Sequence, residues 1–422
     1  MVRMASEMYG PLARYAARFH ASVGDRHHVA SPIGAWLLLA LCGPASTGAA
    51  RNELAEVLGT DVESAAAAAR ALLEAPHPLV PSATAVWNRP GVQTPALKQW
   101  LGTLPGSTQT GSLPEQARLD AWVRDHTLGL IGEFPLELRP ETVLLLASAL
   151  ATKVSWDLPF EVTPAVALGA DSAWAGRLST VLRTPEQGHV AYIAPTERAG
   201  DVIVHVGSAK ANTDWSVTTG LAVVSVAAAP GVSAADVLAA AYEVGPAAIR
   251  SDPRPRRSLY DLPLGDYPLW TIREEPTNDG ITERHQAVLP AWSARDDHDL
   301  TPDALGFPAA TRAMAGLLGV EKPPFEARQS AVARYGRYGF EAAAATGFAT
   351  FDGVPPPGVV RIAELRFGHP YAVLAVAVDR RWEDGETIRG AWDGVPVFSG
   401  WVSEPSDVPP EEAAGDHTGQ LT

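Results

Sequence analysis

The stretch Gly339-Phe340-Glu341-Ala342-Ala343-Ala344-Ala345-Thr346 constrains this chain more than any other. Four consecutive alanines favour helix, because alanine carries the lowest helical cost of any residue. The context points elsewhere. The run follows a strand-like segment and precedes the loop Gly353-Val354-Pro355-Pro356-Pro357-Gly358. Small side chains between a strand and a stiff loop suit a segment that must pass through tight space.

Composition sets the outer bounds. With 46% hydrophobic and 19% charged residues over 422 positions, the chain has the make-up of a folded protein. A net charge of −15 argues against a nucleic-acid backbone as partner. The one basic island, Arg250, Arg254, Arg256 and Arg257, is broken by prolines and reads as a solvated loop. Cys42 is the single cysteine, so no internal disulfide can form; its apolar neighbours make it a buried, inert thiol. Residues 1–19 carry Arg3, Glu7, Arg14 and Arg18 and lack the apolar run of a signal peptide. The apolar stretches near 33–43 and 143–151 are too short to span a bilayer. These features lead us to expect a cytoplasmic monomer with no membrane contact and no cofactor.

Periodicity predicts an amphipathic helix over 5–20 and a buried helix opened by Ser31-Pro32. One or two short helices over 51–75 and another helix over 119–131 follow. Residues 142–156 read as one long buried strand. The signal from 165 to 285 is weak, with strands near 201–206 and 216–227 and a helix over 233–242. Further strands are expected at 287–292, 359–367, 371–378 and 395–402. Helices come first and strands later, which is an α+β layout. The tail 406–422, rich in Pro, Glu and Gly, reads as an acidic disordered segment after a single domain of 1–405.

Five separated segments resemble one family. Ser31-Pro32 opens a Leu-rich helix. Leu119-Asp120-Ala121-Trp122-Val123 is followed by Thr127-Leu128-Gly129-Leu130-Ile131. Lys153, Trp156 and Phe160 end the long apolar run. Leu289-Pro290-Ala291-Trp292 precedes Asp299-Leu300 and Leu305-Gly306-Phe307. Gly339–Thr346 is followed by His369-Pro370-Tyr371 and then Phe398-Ser399-Gly400-Trp401-Val402. In order and spacing these resemble the serpins. The resemblance implies helices packed on a large central sheet, with further sheets and an exposed reactive-centre loop.

It also implies a function: inhibition of serine (or cysteine) proteases by cleavage of that loop and its insertion as a new strand. Gly339–Thr346 would be the hinge. Because strands alternate faces, Phe340, Ala342, Ala344, Thr346, Phe348 and Thr350 would share the inward side. A bulky Phe340 at the start predicts slow entry, since overpacking costs about 1–3 kcal/mol. The scissile bond falls near Gly353 or Val354 counted from the hinge, or near Val359 or Arg361 counted back from His369. Ser31, Ser148, Trp156 and His369 map to the region that controls insertion, where Gly34 and Ser148 depart from the family's residues.

The alternative is a non-inhibitory serpin fold reused to bind a small molecule, or as an enzyme in specialised metabolite biosynthesis. Phe340 and the prolines at 355–357 motivate it. No catalytic residue is assigned. His27-His28 lack metal-ligand spacing, so no metal is expected. Glu283, His285, Asp296, Asp297 and His298 lie close enough for acid–base chemistry, but a solvated face is the plainer reading.

Overall fold

The computed structural model describes residues 2–210, 217–249, 256–278, 280–320, 325–340 and 358–413. Helix α1 (Val2–Val23) and strand β1 (His28–Ala30) lead into α2 (Pro32–Cys42), α3 (Gly48–Leu58) and α4 (Val62–Leu73). The chain then alternates: β2 (Ser82–Asn88), α5 (Pro95–Leu101), β3 (Gln109–Ser112), α6 (Gln116–His126), β4 (Leu144–Leu150) and β5 (Val154–Ser155). Five strands follow, β6 (Glu161–Pro164), β7 (Thr180–Arg183), β8 (His189–Thr196), β9 (Gly200–Lys210) and β10 (Val217–Ala227), before α7 (Ala234–Ala248). Next come β11 (Gly265–Asp266), β12 (Trp270–Thr277), β13 (Glu283–Leu289), β14 (Trp292–Asp299), α8 (Phe307–Leu318), β15 (Arg328–Tyr335) and β16 (Gly339–Phe340). The chain closes with β17 (Gly358–Arg366), β18 (Tyr371–Glu383), β19 (Glu386–Arg389), β20 (Pro396–Val402) and the short α9 (Pro410–Ala413).

Local chemistry explains the helix starts. Pro32 pre-sets the first turn of α2, which is apolar all round and buried at every position but Leu38. Asp61, Thr94 and Ser233 each accept a backbone N–H three residues on, capping α4, α5 and α7. Gly59 ends α3 at φ 73°, a left-handed turn that glycine adopts without strain.

The largest sheet has the order β1-β20-β18-β10-β9-β8, with β19 as a hairpin arm on β18. Its middle strands are buried on both faces, under α7 and α1 on one side. A second sheet runs β11-β12-β17-β13-β7-β6. A third, β3-β2-β4, and the pair β14-β15 lie over α2. The helices and strands are thus segregated as the α+β reading expected.

Three expectations need correction. The run 142–156 is not one central strand: it breaks after Leu150 and resumes as β5, and β4 buries only alternate residues because its other face borders a cleft. The hairpin β11–β12 flanks β17, a strand pair that the weak middle region hid. The tail from 406 is docked as far as Ala413: Ser406 N–H donates to Ala291 O at 2.9 Å, and Val408 is buried. No described helix is long and apolar enough to cross a membrane.

Candidate functional site

Among the described residues, two strand edges face each other without pairing. β4 pairs with β2 on its far side, and β15 pairs with β14 on its own. Between them lies a cleft of about 880 Å³, walled by Leu144–Leu150 and by Arg328, Gln329 and Ser330, and floored by α2 and α8 through Gly34, Leu38 and Met314. Such edges carry rows of backbone donors and acceptors with no ladder partner. On β4 the even-numbered residues 144, 146, 148 and 150 face the cleft and α2, while Leu145, Ala147 and Ala149 pack under Trp122 of α6.

The head of the cleft is closed by β5 and β16. β15 ends at Tyr335, and the chain reverses through Gly336-Arg337-Tyr338-Gly339. The turn is tied on both sides: Gly336 N–H donates to Gly339 O at 3.1 Å, and Trp156 Nε1–H donates to Gly336 O at 3.0 Å. Phe160 N–H donates to Arg337 O at 2.9 Å, and Trp156 N–H to Tyr338 O at 3.0 Å. β16 then pairs antiparallel with β5, Gly339 opposite Ser155 and Phe340 opposite Val154. At Phe340 the backbone therefore runs antiparallel to β5.

Phe340 is already inside. It is 4% exposed and meets Trp292 edge-on at 6.3 Å, and Trp292 stacks on Tyr335 at 6.0 Å. In the uncut chain Phe340 is thus packed among aromatic rings. Trp156 tilts over Tyr335 at 5.1 Å; a Cβ on Gly207 of β9 would come within 3.1 Å of its ring, a tight contact that the glycine avoids.

Lower in the cleft, polar groups converge on Gly34. Gln329 Oε1 accepts from Ser31 N–H at 2.9 Å and its Nε2 donates to Ser31 O at 2.9 Å. Ser31 Oγ donates to Val397 O at 2.9 Å, and Ser148 Oγ donates to Gly34 O at 3.2 Å. Ser31 and Ser148 are thus brought together, with Trp156 at the head of the same cleft. His369 stands apart: it is half-buried beside Asp171, whose charge opposes the downward push of burial on its pKa. Gln329, which no motif singled out, occupies the place expected of a histidine; it lies on a strand whose alternation is muted by the open edge.

Hinge residues Glu341, Ala342, Ala343, Ala344, Ala345 and Thr346, and the candidates Gly353 and Val354, lie outside the described residues. Val359 and Arg361 sit in β17, between β12 and β13. Arg361 is held by Glu274 at 2.9 Å, donates to Leu259 O at 2.7 Å and covers the Tyr260 ring.

The acid–base group near β13 and β14 separates. Glu283 accepts from Leu259 N–H at 3.1 Å, whereas Asp296 and His298 are buried on the inner face of β14, against the solvated-face reading. Asp296 binds Arg26 and Val29 N–H. Beside it runs a buried relay: Tyr242 OH to Ser399 Oγ at 2.9 Å, Ser399 Oγ to His20 Nε2 at 2.7 Å, His20 Nδ1 to His28 Nε2 at 2.8 Å. Ser399 has the neighbours of a nucleophile but is 2% exposed, in the middle of the largest sheet. A second relay joins Tyr335, His205 and His189 to Leu158 O. Cys42 borders the cleft but is buried, with its thiol pushed up to about 12 by desolvation. Among the described residues no set of His, Cys, Asp and Glu side chains is placed to hold a metal ion.

No family model matches the chain, and no curated protein matches its sequence. Solved structures do match. A thermophilic serpin, tengpin, in its native state aligns over 94% of each chain at 14% identity with a TM-score of 0.63. Human thyroxine-binding globulin complexed with thyroxine aligns over 96% of this chain and all of its own at 14% identity, TM-score 0.61. Serpin48 of the insect Tenebrio molitor aligns over 94% and 98% at 14% identity, TM-score 0.56. Likeness at this identity speaks to architecture alone, and the architecture of this chain is the serpin fold.

Proposed function

We propose that this chain inhibits serine-type (or cysteine) proteases by inserting its cleaved loop between β4 and β15. The observation that carries the reading is β16, which pairs antiparallel with β5 just beyond the Leu150 end of β4, a strand whose cleft-side edge has no ladder partner among the described residues. Continuing the register of Phe340 opposite Val154 sets Ala344 opposite Leu150, Thr346 opposite Ser148 and Phe348 opposite Leu146. Ala342, Ala344 and Thr346 would then face α2, where small side chains fit beneath a sheet. The protease nucleophile would attack a carbonyl between 341 and 357 and hold the amino-terminal side as an acyl-enzyme while the loop enters.

A second reading keeps the cleft as a ligand pocket. Its volume lies in the range of small-molecule sites, and one structure of like fold is that of a thyroxine complex.

A protease panel read on SDS gels, with melting curves before and after cleavage, separates the two. Insertion predicts an SDS-stable complex and a Tm rise of about 10 °C or more, since about ten new strand residues add ladder bonds worth roughly 1 kcal/mol each. It also predicts that Ser148→Cys with Thr346→Cys forms a disulfide only after cleavage. A nicked chain with an unchanged Tm overturns the inhibitor; ligand-dependent melting in that case favours the pocket.

A further inference from the structure

The carboxyl-terminal segment reaches the head of the cleft. Asp407 Oδ1 accepts from Ser179 N–H at 2.6 Å and from Thr180 N–H at 2.9 Å, and Val408 N–H donates to Thr180 Oγ1 at 3.2 Å. These bonds anchor the segment at β7, and Val408 plugs in at 3% exposure. From there α9 carries Glu412 onto the turn that feeds β16. Glu412 Oε2 accepts from Arg337 N–H at 2.9 Å, its Oε1 takes Arg334, and its carbonyl accepts from Arg337 Nη1 at 2.5 Å. Arg337 also donates from Nε to Phe160 O at 3.1 Å, tying the turn to the β5 side. The Glu412 side chain is 13% exposed, so its bonds to Arg337 are partly shielded from water, while Arg334 meets it from the exposed side.

We propose that residues 406–413 form a clasp in which Glu412 is a positioning residue: it fixes the turn Gly336–Gly339 and so keeps Phe340 seated as the starting point of strand entry. The role in entry rests on the inhibitor reading above; the hold on the turn does not. Arg337 N–H has no ladder partner at this reversal, and Glu412 supplies the charged acceptor that an exposed turn would take from water. Gly336 fits the same arrangement, because a Cβ there would lie 2.9 Å from Glu412 Oε2.

Hydrogen exchange on the intact full-length protein tests the hold. Glu412→Ala should speed exchange across 336–340 and 154–160 by about tenfold or more, the worth of a hydrogen bond to a charged group, while β18 and β20 stay unchanged. Glu412→Gln keeps an oxygen for Arg337 N–H and should fall between. Gly336→Ala, which displaces the carboxylate without removing it, should reproduce the Glu412→Ala pattern. Unchanged exchange in 336–340, or a uniform rise in every segment, overturns the clasp. For entry, Glu412→Ala should shift the outcome with a reacting protease from complex towards nicked product at unchanged initial cleavage rate. Equal partition in variant and parent, with the turn loosened, overturns the positioning role. If neither protein gains stability on cleavage, the inhibitor reading fails and the clasp is judged by exchange alone.

Discussion

His28 sits in a buried chain of hydrogen bonds. Its Nδ1–H donates to Arg26 O at 2.8 Å, which leaves Nε2 as acceptor for His20 Nδ1–H; His20 Nε2 must then accept from Ser399, and Ser399 from Tyr242. Among neutral tautomers, one set satisfies every bond. Burial accordingly holds the His28 pKa down at about 4 and the His20 pKa well below the usual value. His298, packed beside them at 6.2 Å, is lowered for the same reason. The unfolded chain takes up these protons near pH 6.5 and the folded chain does not, so stability is full above about pH 6.5 and falls as pH drops towards 4. His28 alone contributes roughly 1.4 kcal/mol per pH unit within that window. Urea unfolding between pH 7.5 and 4 should therefore show a declining free energy, and His28→Gln, which cannot titrate, should make the decline shallower. A parent profile that is flat from 7.5 to 4 would contradict the relay.

At the scale of elements, Phe340 decides how the hinge is understood. In the sequence it is a large side chain at the threshold of a strand that needs small ones. In the structure it belongs to the aromatic group of Trp292, Tyr335 and Trp156, so it anchors β16 and the small residues come after it. Phe340→Ala should lower stability by about 3–5 kcal/mol, the usual cost of emptying a buried aromatic site, measured by urea unfolding of the uncut protein. A loss under 1 kcal/mol would mean that β16 is not seated. Much of this architecture was legible: the helix after Ser31-Pro32 and the strands from 359 to 402 carry strong apolar runs or punctuation. The misses have physical causes. β12 is wet on most of its length and has no alternation to read, although its backbone completes a sheet. The docked tail is held by Asp407 and Glu412, and composition cannot tell a solvated carboxylate from one accepting backbone N–H groups. Gln329 binds Ser31 across nearly the whole chain, a pairing invisible without the fold. His369 drew notice through its motif, and that motif reports the turn between β17 and β18, not the cleft.

For the whole molecule, the place of the loop within the topology matters more than its cleavage site. The strands β17, β18 and β20, which follow residue 357, are interior rather than peripheral. β17 runs between β12 and β13, paired from Trp270 opposite Leu365 to Thr277 opposite Gly358 on one side. β18 lies between β10 and β20, and its residues Ala372 to Ala377 are buried on both faces. The carboxyl-terminal piece made by any cut between 341 and 357 therefore supplies middle strands to two sheets. Removing it would strip the edges of β10, β12 and β13 and expose the apolar faces of α7 and α2, at about 25 cal/mol for each Å² of apolar surface. A chain cut once in this interval should elute from a sizing column as one species at its original volume, and should separate into two fragments only in denaturant. Whether or not the loop inserts, this outcome holds, because it depends on the sheets and not on the cleft. Two fragments parting in native buffer would mean that β17 and β18 are not the interior strands described here, and would undo the fold together with every reading built on it.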